Sequence, residues 1–272
     1  MSSNNPNVVT EPINIKPTRH ILGLSGGKDS AALAIYLKDE GRDDRMEYFF
    51  CDTGAELREV YEYLDRLEDY LGRPIERLSS GRDFDHHLRR FNGFLPAPHA
   101  RWCTRVMKLE PLEAFVGSDP CISYIGIRAD EKRNGYISHK PNIQSKYPFI
   151  DDGIIKTDVF RMLEESVGIP EYYKWRSRSG CYFCFFQRKD EWLGLAKSHP
   201  DLFEKAKTYE KVDSDTGKRF TWIQGMTLDE LEENREEIET NAQKRQEKVV
   251  KNWQESVLEE DEEDQACLIC TL

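Results

Sequence analysis

The chain has no long apolar run, no excess of positive charge and no secretory cysteine framework, and each absence removes a class of function. No stretch of about 18 or more apolar residues occurs among its 272 residues, so a membrane-spanning helix is not expected. Residues 1–18 are polar, hold three prolines and lack a hydrophobic signal region. They read as a flexible lead-in to a soluble, cytoplasmic protein with no membrane partner. Seven cysteines in such a chain speak against a disulfide scaffold and for metal, cluster or redox-active thiols. No internal repeat is present, and the length suits one domain of about 150–200 residues plus appendages.

The formal net charge of −11 looks hostile to nucleic acid until it is located. Residues 228–272 hold 15 acidic and 5 basic side chains, which leaves 35 acidic against 34 basic in the rest of the chain. Basic residues gather at Arg82, Arg89, Arg90, Arg101, Arg105 and Lys108, and again at Lys174, Arg176, Arg178, Arg188 and Lys189. Such clusters permit a polyanionic partner, and a solvated surface explains them as well.

The most informative segment is Ser25-Gly26-Gly27-Lys28-Asp29-Ser30, set between the apolar run Ile21-Leu22-Gly23-Leu24 and a helical pattern from Ala31 to Glu40. A strand, a glycine turn and a helix start make an anion cradle: the glycines admit close approach, the helix offers unpaired N–H groups and its positive dipole end, and Lys28 adds a cation. The spacing is not that of the Walker loop, because the glycines are adjacent and Asp29 separates lysine from serine.

A strand and helix alternation follows. Strands are expected at 20–24, 47–51 and 123–127, and helices at 30–40, 56–71, 108–115 and 157–167, which favours an α/β fold with a parallel sheet covered on both faces. Ligands in such sheets bind beyond the carboxyl ends of the strands. There stand Ser25-Gly26-Gly27, Asp52-Thr53-Gly54 and Arg128-Ala129-Asp130, so three distant segments converge on one crevice. From Tyr172 to Trp192 the composition turns aromatic, basic and cysteine-bearing around Cys181-Tyr182-Phe183-Cys184, as in a small appended lobe. After Leu228 an exposed helix is expected, then the acidic stretch Glu259 to Asp264 and Cys267-Leu268-Ile269-Cys270.

The loop, Asp52-Thr53-Gly54, the segment Cys103-Thr104-Arg105-Val106-Met107-Lys108-Leu109-Glu110-Pro111-Leu112 and Gly126-Ile127-Arg128-Ala129-Asp130-Glu131 together resemble the phosphoadenosine-phosphosulfate reductase family of N-type ATP pyrophosphatases. Within it, the intact loop and Gly180-Cys181-x-x-Cys184 look most like the DndC and SspD sulfur-transfer proteins of DNA phosphorothioate modification. The resemblance implies an adenine-nucleotide alpha-hydrolase-like, Rossmann-like sheet. It divides the chain into a pyrophosphatase domain at 19–170, a cysteine lobe at 171–227 and an acidic helical tail at 228–272. It implies cleavage of ATP between the α and β phosphates, adenylating a nucleic-acid acceptor, the DNA backbone first among them, for sulfur insertion. A cysteine desulfurase would supply the sulfur, and a homodimer is compatible with the sequence.

The resemblance assigns roles residue by residue. Ser25, Gly26, Gly27 and Ser30 would cradle the β and γ phosphates, and Lys28 would neutralise the departing pyrophosphate. Asp29 and Asp52 are candidates for Mg²⁺, with Thr53 beside them, while Arg128 and Arg133 could clamp phosphates, oriented by Asp130 or Glu131. Asp29 has a competing reading as a helix N-terminal charge and Arg133 as a surface charge.

Cys181 and Cys184 supply two thiolates on one turn and Cys103 a third, a set that suits a [4Fe–4S] cluster with one open iron, a zinc ion or cluster-free thiols. Cys121 is an alternative fourth ligand; it and Cys51 also read as buried hydrophobes. Cys103 has a nucleophilic alternative, as a persulfide activated by Arg101 and Arg105. Trp102, Tyr172, Tyr173, Trp175 and Trp192 interleave with arginines as base-stacking platforms would, although packing around the lobe explains them too. The rivals are a tRNA thiolation enzyme, an adenylyl-sulfate or phosphoadenylyl-sulfate reductase and a sulfate adenylyltransferase. The intact loop disfavours the reductase, and Ala266-Cys267-Leu268 lacks the Glu-Cys-Gly setting of a reductase catalytic cysteine.

Overall fold

The computed structural model describes residues 18–132, 140–178 and 180–251, the side chains of 246–251 excepted. The chain lays down β1 (Arg19–Gly23), α1 (Lys28–Asp39), β2 (Met46–Cys51), α2 (Arg58–Leu71) and β3 (Ile75–Leu78), moving outward strand by strand. After α3 (Phe84–Arg90), a continuous helical run comprises α4 (Trp102–Thr104), a π-helical turn (Arg105–Leu109) and α5 (Glu110–Val116). The chain then returns to the centre for β4 (Cys121–Tyr124) and adds β5 (Ile143–Lys146), α6 (Pro148–Asp151) and α7 (Lys156–Glu164). A 3-10 turn (Glu171–Lys174) leads into the cysteine segment, followed by α8 (Lys189–Ser198), α9 (Pro200–Lys207), the hairpin β6 (Lys211–Val212) and β7 (Arg219–Phe220), α10 (Leu228–Glu233) and α11 (Arg235–Lys251).

The main sheet has the order β3-β2-β1-β4-β5, and every pairing in it is parallel. Both faces are covered, so the central strands are buried over most of their length and alternate residues feed two cores. Leu22, Tyr48 and Phe50 join the core that includes α1, α2 and α7, whereas Ile21, Phe49 and Cys51 join Leu112 and Val116 of α5. Helix α2 buries Val60, Tyr63, Leu64, Leu67 and Leu71, a helical-period stripe that explains its formation. The strand order reverses between β1 and β4, which opens a crevice at their carboxyl ends.

The structure corrects several expectations. In the main sheet two strands were not anticipated, β3 (Ile75–Leu78) and β5 (Ile143–Lys146), because these sheet edges alternate with polar residues rather than forming apolar runs, and the short hairpin β6–β7 was not anticipated either. Strand β4 starts at Cys121, and its ladder stops at Tyr124. The following residues Ile125 and Ile127 stay buried, and Gly126 passes against the start of α1. Within the expected lobe at 171–227, Phe183, Trp192, Phe203 and Trp222 share one core cluster with Leu22 and Leu33. The tail is not uniformly exposed either, since Leu228 and Leu231 of α10 are fully buried. The acidic stretch and Cys267 and Cys270 lie outside the described residues. Among the described residues no helix is long and apolar enough to cross a membrane.

Candidate functional site

The loop after β1 is built as a glycine-dependent cradle. Gly26 sits at φ +76°, and a Cβ there would meet Val60 Cγ1 at 2.7 Å, so both conformation and space require glycine. Helix α1 starts without a side-chain cap at Gly27, which leaves its first amides to other partners. Ser30 Oγ accepts from the Ser25 amide at 3.2 Å and donates to the Gly27 carbonyl at 3.3 Å, closing the loop on itself. The Lys28 amide donates to the Tyr173 hydroxyl at 3.0 Å, and the Tyr172 hydroxyl donates to the Gly26 carbonyl. Burial raises the Tyr172 pKa well above its ordinary value, so that hydroxyl stays a donor. Both tyrosines thus belong to the loop's support rather than to a base-stacking surface.

Charge in the crevice is tightly paired. Lys28 Nζ lies 3.1 Å from Asp29 Oδ2, and Arg128 Nη1 lies 2.9 Å from Asp29 Oδ1 and 2.8 Å from Glu131 Oε1, while Arg128 Nε reaches Asp130 at 3.0 Å. Burial pushes the Asp29 carboxyl up, but Lys28 and Arg128 outweigh it and hold it below the ordinary carboxylate value. Burial also opposes the Arg128 charge, and Asp29 with Glu131 overcomes that, raising its pKa. Gly126 makes this pairing reachable: a Cβ there would stand 2.8 Å from the Asp29 carbonyl oxygen, so only glycine lets the end of β4 pass so close to α1. Both carboxylate oxygens of Asp29 are engaged by cations, whereas at Asp52 only Oδ1 is engaged among the described residues, by the Gly54 amide and the Tyr61 hydroxyl, each at 2.8 Å. Arg133 lies outside the described residues.

The third expected segment touches the cysteines. Thr53 Oγ1 donates to Glu56 Oε1 at 2.8 Å and lies 3.1 Å from Cys181 Sγ, which donates to the same Glu56 oxygen at 3.4 Å. Burial, and then the Glu56 charge, raise the Cys181 pKa well above the thiol value, so it stands as a neutral thiol. Thr53, Cys103, Cys181 and Cys184 line one cavity of about 30 Å³, walled by Met107, Phe183 and Phe186. Arg178 Nη2 donates to Cys184 Sγ at 3.4 Å. Arg176, itself buried, donates to the carbonyls of Gly180 and Cys181 and fixes the turn.

The donor set can be weighed against the implied cofactors. Zinc needs its ligands to converge on one point, and no three His, Cys, Asp or Glu side chains do so among the described residues. The iron atoms of a cubane occupy separate corners, so its thiolates line a cavity, as Cys103, Cys181 and Cys184 do. The three thiols match a cluster's ligands in type, but the cavity between them does not hold one as it stands. The free room, enough for a water or two, requires the cysteine turn to yield before one enters.

Several expected roles move. Cys121 begins β4 at the amino end of the sheet, 2% exposed, opposite the crevice, and does not serve as a fourth ligand there. Burial raises the thiols of Cys51 and Cys121 to about 11, as in inert core cysteines. Trp102, Tyr172 and Trp192 are buried and pack in the core instead of facing bases. The sequence reading missed Glu56 and the supporting role of Tyr172 and Tyr173; the one available signal was their place beside Asp52-Thr53-Gly54 and ahead of the cysteine turn.

An uncapped glycine loop, a buried lysine and paired carboxylates at a reversal of strand order define a nucleotide-binding α/β domain. Residues 19–148 match the phosphoadenosine phosphosulfate reductase domain. The chain is 30% identical over 199 residues to an uncharacterized protein of Methanocaldococcus jannaschii, covering 68% of this chain and 40% of that one. A second uncharacterized protein of that organism is 29% identical, over 67% of this chain and 45% of its own. The chain thus spans under half the length of these two relatives. An uncharacterized 37.8 kDa protein of Escherichia phage 186 is 25% identical over 74% of this chain and 77% of its own. The crystal structure of a phosphoadenylyl-sulfate reductase from Candida auris, a phosphate complex, superposes with a TM-score of 0.48 at 11% identity, over 64% of this chain and 84% of that one.

Proposed function

We propose that the chain is an ATP pyrophosphatase acting in sulfur transfer, which adenylates a nucleic-acid backbone, DNA in the first instance, and delivers sulfur to the activated position. The observation that carries this reading is Thr53: it follows the crevice carboxylate Asp52, and its hydroxyl is 3.1 Å from Cys181 Sγ. Thr53 lines the thiol cavity from the carboxyl end of β2, the strand next to the one that carries the glycine loop. Phosphate oxygen is a poor leaving group, adenylation makes it a good one, and the activated group is then beside the sulfur site.

In this reading the amides of Gly26 to Ser30 receive the β and γ phosphates, and Tyr173 yields the Lys28 amide to a phosphate oxygen. Lys28 follows the developing charge on pyrophosphate, held in reach by Asp29, which Arg128 in turn fixes. Asp52, with one oxygen uncommitted, is the carboxylate that would meet a nucleotide-borne Mg²⁺, and Asp29 would have to release a cation to do so. Cys103, Cys181 and Cys184 would hold a [4Fe–4S] cluster, which would supply a place to carry hydrosulfide. Without it, a desulfurase persulfide would pass its outer sulfur to one thiol of this set, attack of that new persulfide would expel AMP, and a second thiol would cleave the resulting S–S bond, leaving the phosphorothioate and a cysteine disulfide. Glu56 and Thr53 hold the Cys181 sulfur against the crevice.

The test is pyrophosphate release from ATP and Mg²⁺ in the presence of DNA, tRNA or sulfate. Release that depends on DNA and vanishes in Lys28→Ala supports the reading, and stimulation by tRNA or sulfate alone replaces its acceptor. Reduction of an adenylyl sulfate without ATP consumption overturns it in favour of a reductase. An anaerobic visible spectrum decides between cluster and free thiols.

A further inference from the structure

The mouth of the thiol cavity carries a charge arrangement that the nucleotide site does not use. Arg101 and Arg178 both direct their guanidinium groups onto the ring of Phe186, at 5.0 and 4.8 Å from its centroid, and Phe186 lines the cavity with the three cysteines. The two cations therefore lie no farther apart than the sum of those distances. Each is half-buried, and one ring face-field attracts both. Most other arginines near the sheet are matched: Arg128 has three carboxylates, Arg105 has Glu110 and Arg188 has Glu191. Arg101 has no carboxylate partner among the described residues, its one hydrogen bond going to the Pro98 carbonyl. Arg178 meets the Cys184 sulfur. Lys108, from the π-helical turn, lines the same cavity.

Two like charges held together on one aromatic ring, with one of them lacking a counter-charge, are costly unless an anion completes the set. The guanidinium fork is the group that best matches phosphate oxygens, and an arginine stacked on a ring presents that fork with little entropy left to lose. We propose that Arg101, Phe186 and Arg178 form the docking site for the phosphodiester backbone of the sulfur acceptor, placing a backbone phosphate at the Cys184 side of the cavity. This rests on the acceptor being a nucleic acid, as argued above. It adds which residues grip the strand and from which side it meets the thiols. Successive phosphates of a strand can meet both cations at once, which one small anion need not do.

The experiment is an anisotropy titration of fluorescein-labelled oligonucleotides, single-stranded DNA, duplex DNA and RNA of one sequence, across a salt series. The full chain is used as wild type, Arg101→Gln/Arg178→Gln and Arg101→Lys/Arg178→Lys, with melting curves to verify folding. Loss of two phosphate contacts flattens the slope of log affinity against log salt by about 2 and weakens binding on the order of tenfold at 0.1 M salt. The lysine pair, which keeps charge but not the fork, retains the slope and recovers part of the affinity. The proposal is overturned if the glutamine variant, folded, binds with wild-type affinity and slope, if no oligonucleotide binds the wild type, or if inorganic sulfate binds as tightly as the strand. Arginine-dependent binding by a wild-type protein that releases no pyrophosphate would sustain the docking site and remove the pyrophosphatase reading.

Discussion

Replacing Arg128 by leucine tests whether the crevice is organised by its buried charges. The Arg128 side chain is 4% exposed and sits between Asp29, Asp130 and Glu131, all within 3.0 Å. Removing it takes one cation away from the buried Asp29 and Glu131 carboxylates, and breaking a buried pair from one side costs about 3–5 kcal/mol. Lys28 still meets Asp29, and Asp130 is solvated, so the lower end, about 3 kcal/mol, is expected. For a chain of this size each kcal/mol moves Tm by about 2–4 °C, giving a fall of about 6–12 °C at pH 7. The pH dependence has a definite sign. In the wild type Asp29 is held below its ordinary value of 3.8, so its contribution is complete above that value and is lost as pH falls through the lowered one. In the variant both carboxylates have lost a cation and take up protons more readily, so the gap between the two proteins narrows from pH 7 to pH 5. Circular-dichroism melts of both proteins over that range read this directly. A fall of less than about 2 °C at pH 7, or a gap that does not change with pH, refutes the reasoning.

Gly126→Ala forces a methyl against the Asp29 carbonyl, and should cost about 1–3 kcal/mol and weaken ATP binding, measured by melting and nucleotide titration. Tyr172→Phe keeps the packed ring but strips the Gly26 carbonyl of its donor; a loss of about 1–3 kcal/mol is expected by denaturant unfolding, and an unchanged midpoint contradicts it. Iodoacetamide at pH 8, followed by mass spectrometry, should modify Cys184 well before Cys51 and Cys121, whose thiols burial pushes up to about 11. Equal rates at all three would remove the distinction between core and cavity cysteines. ATP added beforehand should alter the Cys181 and Cys184 rates, because Arg176 ties their turn to the element that supports the loop.

The parts of the fold legible in the sequence are those where one residue pattern answers to one environment. The central strands are doubly buried, so Tyr48-Phe49-Phe50 reads as a strand without ambiguity, and the amphipathic stripe of α2 reads as a helix. Edge strands β3 and β5 were hidden because Ile75-Glu76-Arg77-Leu78 and Ile143-Gln144-Ser145-Lys146 owe their conformation to a neighbour's backbone, not to their own side chains. In the site, Lys28, Asp29 and Arg128 were legible as a set, but not their mutual pairing, in which Arg128 is a partner of Asp29. The grouping of Cys103 with Cys181 and Cys184 follows from motif order. The roles of Glu56 and Phe186 depend on contacts across more than 80 residues of chain, for which no local pattern exists.

The most direct measurement resolves the products from ATP labelled at the α or the γ phosphate, incubated with the protein, Mg²⁺ and DNA. The γ label should leave in pyrophosphate and the α label in an adenylate or AMP, with both products absent in Lys28→Ala. Appearance of the γ label in orthophosphate, with the α label retained in ADP, would contradict cleavage between the α and β phosphates.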